Sequence, residues 1–175
     1  MNGPPAPRLI GPPAVRTLLV LGIDPGTQRT GYGLVALDRG ALRHVDSGVI
    51  APPRQAALPD RLVAIYDGLA EVIERHGPGA IAVEDVFYAK HAQGALKLGH
   101  ARGVCLLAAA RLGLEVHSYA PAMVKRAISG HGRAEKDQIA RLVKMILCLE
   151  TEPPADAADA LAVAICHAAG ASRLP

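Results

Sequence analysis

Four carboxylates stand at positions where they could share one site. Asp24 ends the apolar run of residues 18–23, and Glu84 ends the apolar run of residues 80–83. Asp156 and Asp159 are three residues apart in an alanine-rich segment, which places them on one face of a predicted helix. Taken singly, each has an ordinary explanation, because acids are common in turns at strand ends and at helix N-termini.

The chemistry of such a cluster would be that of hard metal ions. Two carboxylates about 5 Å apart repel by roughly 3 kcal/mol at an effective dielectric constant near 20, so four together require protons or cations. Oxygen ligands favour Mg²⁺ or Mn²⁺, and no Cys/His spacing typical of zinc is present. Two such ions about 4 Å apart serve in-line phosphoryl chemistry. The acids therefore predict a nuclease, provided that they converge.

The elements that would position these acids follow from the hydrophobic pattern. The predicted order is β-β-β-α-β-α-β-α-α, with a further short helix opened by Pro121. The predicted strands cover residues 18–24, two segments flanking the turn at Asp38–Gly40, residues 80–86 and residues 114–120; the main helices cover 58–76, 92–112, 134–149 and 155–169.

This order predicts an α/β fold with a mixed five-stranded sheet, in which a three-stranded antiparallel meander is joined by two parallel strands and flanked by helices. The crossover makes the fourth strand parallel to the first. If the two are neighbours, Asp24 and Glu84 lie at the same edge of the sheet, where α/β proteins bind ligands. Asp85 follows Glu84 directly and is expected to face the opposite side.

Length and composition limit the number of domains, the class of partner and the location of the protein. The 175 residues are expected to form one domain over 17–175, preceded by a disordered proline-rich tail over 1–16. A net charge of +3 permits a nucleic-acid partner without requiring one. Three cysteines in apolar runs, without a CxxC pair, are typical of buried thiols in a reduced cytoplasm. No apolar run is long enough to span a membrane, so a cytoplasmic location is expected.

Aromatic and basic residues near the acids are candidates for holding DNA. Phe87 is the only phenylalanine, and with Tyr88 it follows Glu84 in a predicted loop, where an aromatic ring could stack on an unpaired base or pack onto the sheet. Basic side chains flank a glycine-rich loop and line the preceding helix, an arrangement that suits phosphate contact but also an ordinary solvated face. The candidates are Lys90, Lys97, Arg102, Lys125, Arg126, His131, Arg133 and Lys136. The histidines at 44, 76, 117 and 167 have no evident partners.

Four motifs together resemble the RuvC family of Holliday-junction resolvases: GIDPGTQRTGYG, VEDVFYAKHAQGALKLGHARG, VKRAISGHGRAEKDQI and ADAADALAVAICH. The resemblance covers about residues 18–169. It implies an RNase H-like fold and a homodimer that nicks opposed strands of a four-way DNA junction, leaving 5′-phosphate and 3′-hydroxyl ends. It also implies cooperation with the RuvA–RuvB branch-migration machinery.

Site residues also follow from the resemblance. It assigns metal binding to Asp24, Glu84, Asp156 and Asp159, with two Mg²⁺ ions per site and Mn²⁺ as a substitute. It places Phe87 at the opened centre of the junction, and it places Lys125 and Lys136 near the scissile phosphate, where Lys136 joins the acids as a catalytic candidate. The residue after the fourth-strand glutamate is often Gln in the family, so Asp85 adds a negative charge that can alter metal affinity or sequence preference.

Two other classes of protein remain open at this point. Actin-like and sugar-kinase ATPases also begin with a turn similar to the DPGT that starts at Asp24, but they need a second glycine-rich phosphate turn and roughly twice this length. A catalytically silent junction-binding module on the same fold is the other alternative, and the presence of all four acids argues against it.

Overall fold

A computed structural model of the protein describes residues 17–85, 92–130 and 136–171, and of Lys136 and Asp137 only the backbone. The predicted tail over 1–16 lies outside these residues. Five strands and five helices are observed: β1 (Leu18–Asp24), β2 (Thr30–Asp38), β3 (Ala41–Ile50), α1 (Leu58–His76), β4 (Ala80–Glu84), α2 (Ala92–Arg111), β5 (Val116–Tyr119), α3 (Pro121–Ser129), α4 (Lys136–Ile146) and α5 (Ala155–Ala171).

The strands form one mixed sheet in the order β3-β2-β1-β4-β5. β1, β2 and β3 pair antiparallel, whereas β4 pairs parallel to both β1 and β5. The predicted meander with two added parallel strands is therefore confirmed. β1 and β4 are neighbours, which is the condition under which Asp24 and Glu84 were expected at one sheet edge. The β2–β3 turn places Arg39 and Gly40 at φ 50° and 83°, the left-handed conformation that a tight hairpin needs.

Helices cover both faces of the sheet, so the central strands are apolar on both sides. α1 and α2 pack over one face around Leu21, Ile23 and Val83. α3, α4 and α5 pack over the other around Val20 and Ala82. A strand buried on both faces reads as a continuous apolar run, which is why β1 and β4 were recognisable in the sequence.

The last helix lies directly on the sheet backbone. A Cβ atom added to Gly22 would stand 2.0 Å from the carbonyl oxygen of Ala160, and one added to Gly31 would stand 1.9 Å from that of Asp156. The alanines of α5 that face the sheet are buried. Small residues on both sides thus allow α5 to approach β1 and β2 closely, which brings its acidic N-terminal turn to the sheet edge.

Some predicted boundaries and environments were wrong. α4 ends at Ile146, not at residue 149, and the chain turns at Cys148 with φ 51°. Cys105 and Cys166 are buried as expected, but Cys148 is exposed, because this turn lies at the surface. All three thiols are free. Among the described residues, no helix has the length and apolar character needed to cross a membrane.

Candidate metal and DNA site

Three of the four predicted acids line one cavity. Asp24, Glu84 and Asp159 come from β1, β4 and α5, and the cavity they share has a volume of about 270 Å³. Lys125 of α3 lines the same cavity and adds a positive charge beside the acids. The remaining wall is apolar: Pro121, Val124, Ile139 and Ala162.

The register of the sheet brings these acids together. Ile23 of β1 pairs with Val83 of β4, so Asp24 and Glu84 are the next residues on adjacent parallel strands. Side chains alternate along a strand. Since Val20 and Ala82 pack toward α3–α5, Asp24 and Glu84 point to that same face.

The turn after Asp24 is tightly closed. The buried Thr30 hydroxyl donates to the Gly26 carbonyl oxygen at 2.8 Å and accepts a hydrogen bond from the Gly26 N–H at 3.4 Å. A Cβ on Gly26 would lie 2.3 Å from the carbonyl oxygen of Arg29, so a side chain at this position would force the turn open. The glycine of the DPG sequence is thus required by the turn that exposes the carboxylate.

Asp156 is engaged elsewhere. Its carboxylate forms an ion pair with the guanidinium of Arg29, a residue of the β1–β2 turn that the sequence analysis did not single out. Asp156 does not line the cavity of the other three acids. The sequence contains only one indication of this ion pair: Arg29 is a cation in the loop that follows the strand-end acid Asp24. Its partner Asp156 lies 127 residues away in the chain.

The donor set fits a hard cation. The three acids at the cavity offer only carboxylate oxygens, which suit Mg²⁺ or Mn²⁺. Within residues 17–85, 92–130 and 136–171, no three Asp, Glu, His or Cys side chains are grouped tightly enough to hold a metal ion. The acids therefore surround a common space and do not form a closed coordination shell.

Candidate DNA-contacting residues occupy different settings. Lys97 and Arg126 are exposed on α2 and α3, whereas Lys125 is half-buried at the cavity. Arg102 points inward and pairs with Asp85, which lies on the opposite face from Glu84 as predicted. Phe87, Tyr88, Lys90, His131 and Arg133 lie outside the described residues, and so does the side chain of Lys136.

All four histidines without assigned partners do have them. His44 Nε2 lies 2.9 Å from Ser47 Oγ, and His76 Nε2 lies 3.0 Å from Asp46 Oδ2. The Tyr119 hydroxyl and His167 Nδ1 are 2.8 Å apart, and the rings of His117 and His167 have centroids 4.5 Å apart. Burial, followed by the neighbouring His117, lowers the pKa of His167. The expectation that these histidines lack partners was wrong. His117 and His167 could not be paired from the sequence because β5 and α5 are distant in the chain and meet only in the fold.

A five-stranded mixed sheet flanked by helices, with acids at the ends of adjacent parallel strands and on the last helix, is the RNase H-like class of fold. The family model for "Crossover junction endodeoxyribonuclease RuvC" matches residues 20–167. The chain belongs to the RuvC family, whose members are metal-dependent nucleases.

Relatives support this assignment over nearly the whole chain. The RuvC protein of Geobacter sp. (strain M21) is 50% identical over 90% of this chain and 97% of its own length. That of Halorhodospira halophila is 53% identical over 85% of this chain and 89% of its own. The structure of Thermus thermophilus RuvC in complex with a Holliday junction substrate aligns with a TM-score of 0.82 at 38% identity, covering 88% of this chain and 94% of that one.

Proposed function

We propose that this chain is an endonuclease that resolves four-way DNA junctions during recombination and repair. It makes paired, symmetric, Mg²⁺-dependent nicks that leave ligatable 5′-phosphate and 3′-hydroxyl ends. The observation that carries the proposal is the cavity shared by Asp24, Glu84 and Asp159, in a chain of the RuvC family. The relative from Thermus thermophilus was solved with a Holliday junction substrate.

The residues have distinct roles in this proposal. Asp24, Glu84 and Asp159 would hold the metal ions, and Asp156 would join them on release from Arg29. Two Mg²⁺ ions, or Mn²⁺ in their place, would supply Lewis acidity and an activated water for in-line attack. Lys125 faces the same cavity, so its ammonium group can stabilise negative charge that develops on the phosphate.

Further residues bind the junction away from the metal ions. We assign phosphate contact to Lys97 and Arg126, whose side chains are exposed. Phe87 stacks on an unpaired base at the junction centre, with Tyr88 beside it. The remaining assignments made from the sequence, at Lys90, His131, Arg133 and Lys136, stand as part of this proposal, as does cooperation with RuvA–RuvB.

Symmetric nicking requires two active sites, and α2 offers a surface for a second copy. Leu96 and Leu107 are 63% and 52% exposed and lie eleven residues apart, which is three helical turns and hence one face. Between them on that face, no described atom outside the helix backbone lies within 4 Å of a Cβ added to Gly99 or Gly103. We infer that this stripe is the homodimer contact.

Placing a charge on this stripe is expected to produce monomers. Leu96→Glu combined with Leu107→Glu should halve the mass measured by light scattering and replace paired cuts by single nicks in a junction within a supercoiled plasmid. Val63→Glu is the matched control, because Val63 is 59% exposed on α1. A double variant that remains dimeric would exclude α2 as the contact.

The function is tested with three substrates of equal length: a mobile four-way junction, a linear duplex and a forked DNA, each with and without Mg²⁺. We expect cutting of the junction alone, only with Mg²⁺, at symmetric positions, and products that ligase seals. Equal cutting of all three substrates would show that the protein is a general nuclease without selectivity for junctions. Tight junction binding without cutting would favour the catalytically silent binding module. The ATPase alternative has no support, because the relatives that match this chain over 97% and 89% of their own length are nucleases.

A further inference from the structure

Asp85 and Arg102 form an ion pair directly behind the acidic cavity. Asp85 Oδ1 lies 2.9 Å from Arg102 Nη2, and the two side chains are only 32% and 23% exposed. Arg102 Nη2 also donates to Ser118 Oγ at 2.7 Å. The pair therefore joins three elements, because Asp85 follows β4, Arg102 belongs to α2 and Ser118 to β5.

The pair lies next to a residue of the cavity. Asp85 immediately follows Glu84, and its N–H donates to the Tyr119 carbonyl oxygen at 2.8 Å, which extends the β4–β5 pairing by one step. Holding Asp85 on one face of the sheet therefore holds the Glu84 side chain on the other. A shift of Asp85 would be transmitted to Glu84 through a single peptide unit.

Arg102 lies among buried groups on its side of the sheet. Burial raises the pKa of Cys105 to about 12, and Asp24 and Arg102 then act on this thiol in opposite directions, Asp24 raising its pKa and Arg102 lowering it. Among the buried side-chain nitrogen and oxygen atoms of the described residues, Arg102 Nε is left without a hydrogen-bond partner. The interactions with Asp85 and Ser118 are therefore the main compensation for the partial burial of the Arg102 guanidinium.

We propose that Asp85 and Arg102 are a charge-compensated positioning pair for the acidic site. Arg102 neutralises Asp85, so that the charges at the cavity itself, the acids and Lys125, set the field felt by a metal ion, and the pair fixes the β4 end that carries Glu84. The inference rests on the proposed function of the cavity. It makes Arg102 a residue that acts through Asp85 and not a contact to DNA.

The pair is tested by measuring Mn²⁺ binding to the metal-free full-length protein without DNA, by electron paramagnetic resonance at low ionic strength. Arg102→Gln leaves the Asp85 carboxylate uncompensated and should tighten Mn²⁺ binding by about threefold to tenfold. Asp85→Asn leaves the guanidinium uncompensated and should weaken Mn²⁺ binding by a similar factor. The double variant should return to within about twofold of the wild type, since both charges are gone. A loss of packing alone would not shift the two single variants in opposite directions.

Cutting and junction binding complete the test. At saturating Mg²⁺ both single variants should cut more slowly than the wild type, and the double variant should regain most of that rate. Junction affinity without metal should be equal in the double variant and the wild type. Arg111→Gln, at the exposed end of α2, is the control for removing one positive charge from the same helix.

Two results would overturn the pair. The first is equal loss of junction affinity in Arg102→Gln and in the double variant, which would make Arg102 a DNA contact. The second is a Mn²⁺ affinity that falls in both single variants and is not restored in the double variant. A wild type that binds Mn²⁺ but does not cut junctions would instead refute the proposed function, and the Mn²⁺ measurements would still decide the role of the pair.

Discussion

Asp159→Asn is expected to bind a four-way junction as tightly as the wild type and to cut it roughly 100-fold more slowly or worse in Mg²⁺. Asp159 lines the cavity together with Asp24 and Glu84, and asparagine keeps the shape of the side chain but removes its charge. A metal ion contributes several kcal/mol to phosphoryl transfer, and about 3 kcal/mol corresponds to roughly two orders of magnitude in rate. The measurement is single-turnover cutting of a labelled junction, with binding measured separately by fluorescence anisotropy in Ca²⁺.

The control for this substitution is Asp67→Asn, which removes an exposed acid from α1 and should leave both quantities unchanged. Asp156→Asn is the informative companion, because Asp156 is bound to Arg29 outside the cavity. A comparable loss of cutting in Asp156→Asn supports four metal-binding acids, whereas full activity restricts the ligands to the three at the cavity. Full activity of Asp159→Asn would refute the metal assignment itself.

Gly22→Ala is expected to cause a large loss of stability, although it adds only a single methyl group. The new Cβ would stand 2.0 Å from the Ala160 carbonyl oxygen and 2.7 Å from the Ala164 nitrogen, both backbone atoms that cannot rotate away. α5 must therefore move off the sheet. Overpacking of this kind costs about 3 kcal/mol or more, which lowers the melting temperature of a domain of this size by roughly 6–12 °C. Urea unfolding followed by circular dichroism measures the loss.

Gly170→Ala is the opposite case, because it adds a methyl group to α5 at a position with room for it. Among the described residues, no atom outside the adjacent helix backbone lies within 4 Å of the position that its Cβ would take, so the substitution should raise stability by up to about 1 kcal/mol through helix propensity. Should Gly22→Ala unfold at the wild-type urea concentration, the close contact of α5 with β1 would be wrong. Because α5 carries Asp159, we also expect Gly22→Ala to lose cutting activity at temperatures where it is still folded.

Much of the fold could be predicted because its signals are local. The apolar runs that end at Asp24 and Glu84 marked the two central strands, and the turn at Asp38–Gly40 marked the hairpin. The crossover rule then made the strands that end at Asp24 and Glu84 parallel. Two acids at one sheet edge followed from these elements without any tertiary information.

The contacts that could not be predicted depend on how distant segments meet. The pairing of Arg29 with Asp156 requires α5 to lie on the β1–β2 turn, and that requires Gly22 and Gly31 to admit the α5 backbone. A glycine within a strand indicates close approach, but not of which element. The partner of Asp85 could not be predicted either, because the sequence does not distinguish Arg102 from the other basic residues that were candidates for phosphate binding.

The exposed turn after α4 has a practical consequence. The thiolate is the form of cysteine that attacks a thiol reagent, and burial raises the pKa values of both Cys105 and Cys166, that of Cys105 to about 12. Cys148 is exposed, whereas Cys105 and Cys166 are buried, so the Cys148 thiol is the one that a reagent in solution can reach. A maleimide dye should therefore label the unmodified protein at one position, about 16 Å along α4 from the Lys136 end. Energy transfer from that dye to a labelled junction arm would follow binding and release in real time, with every native residue of the acidic cavity in place.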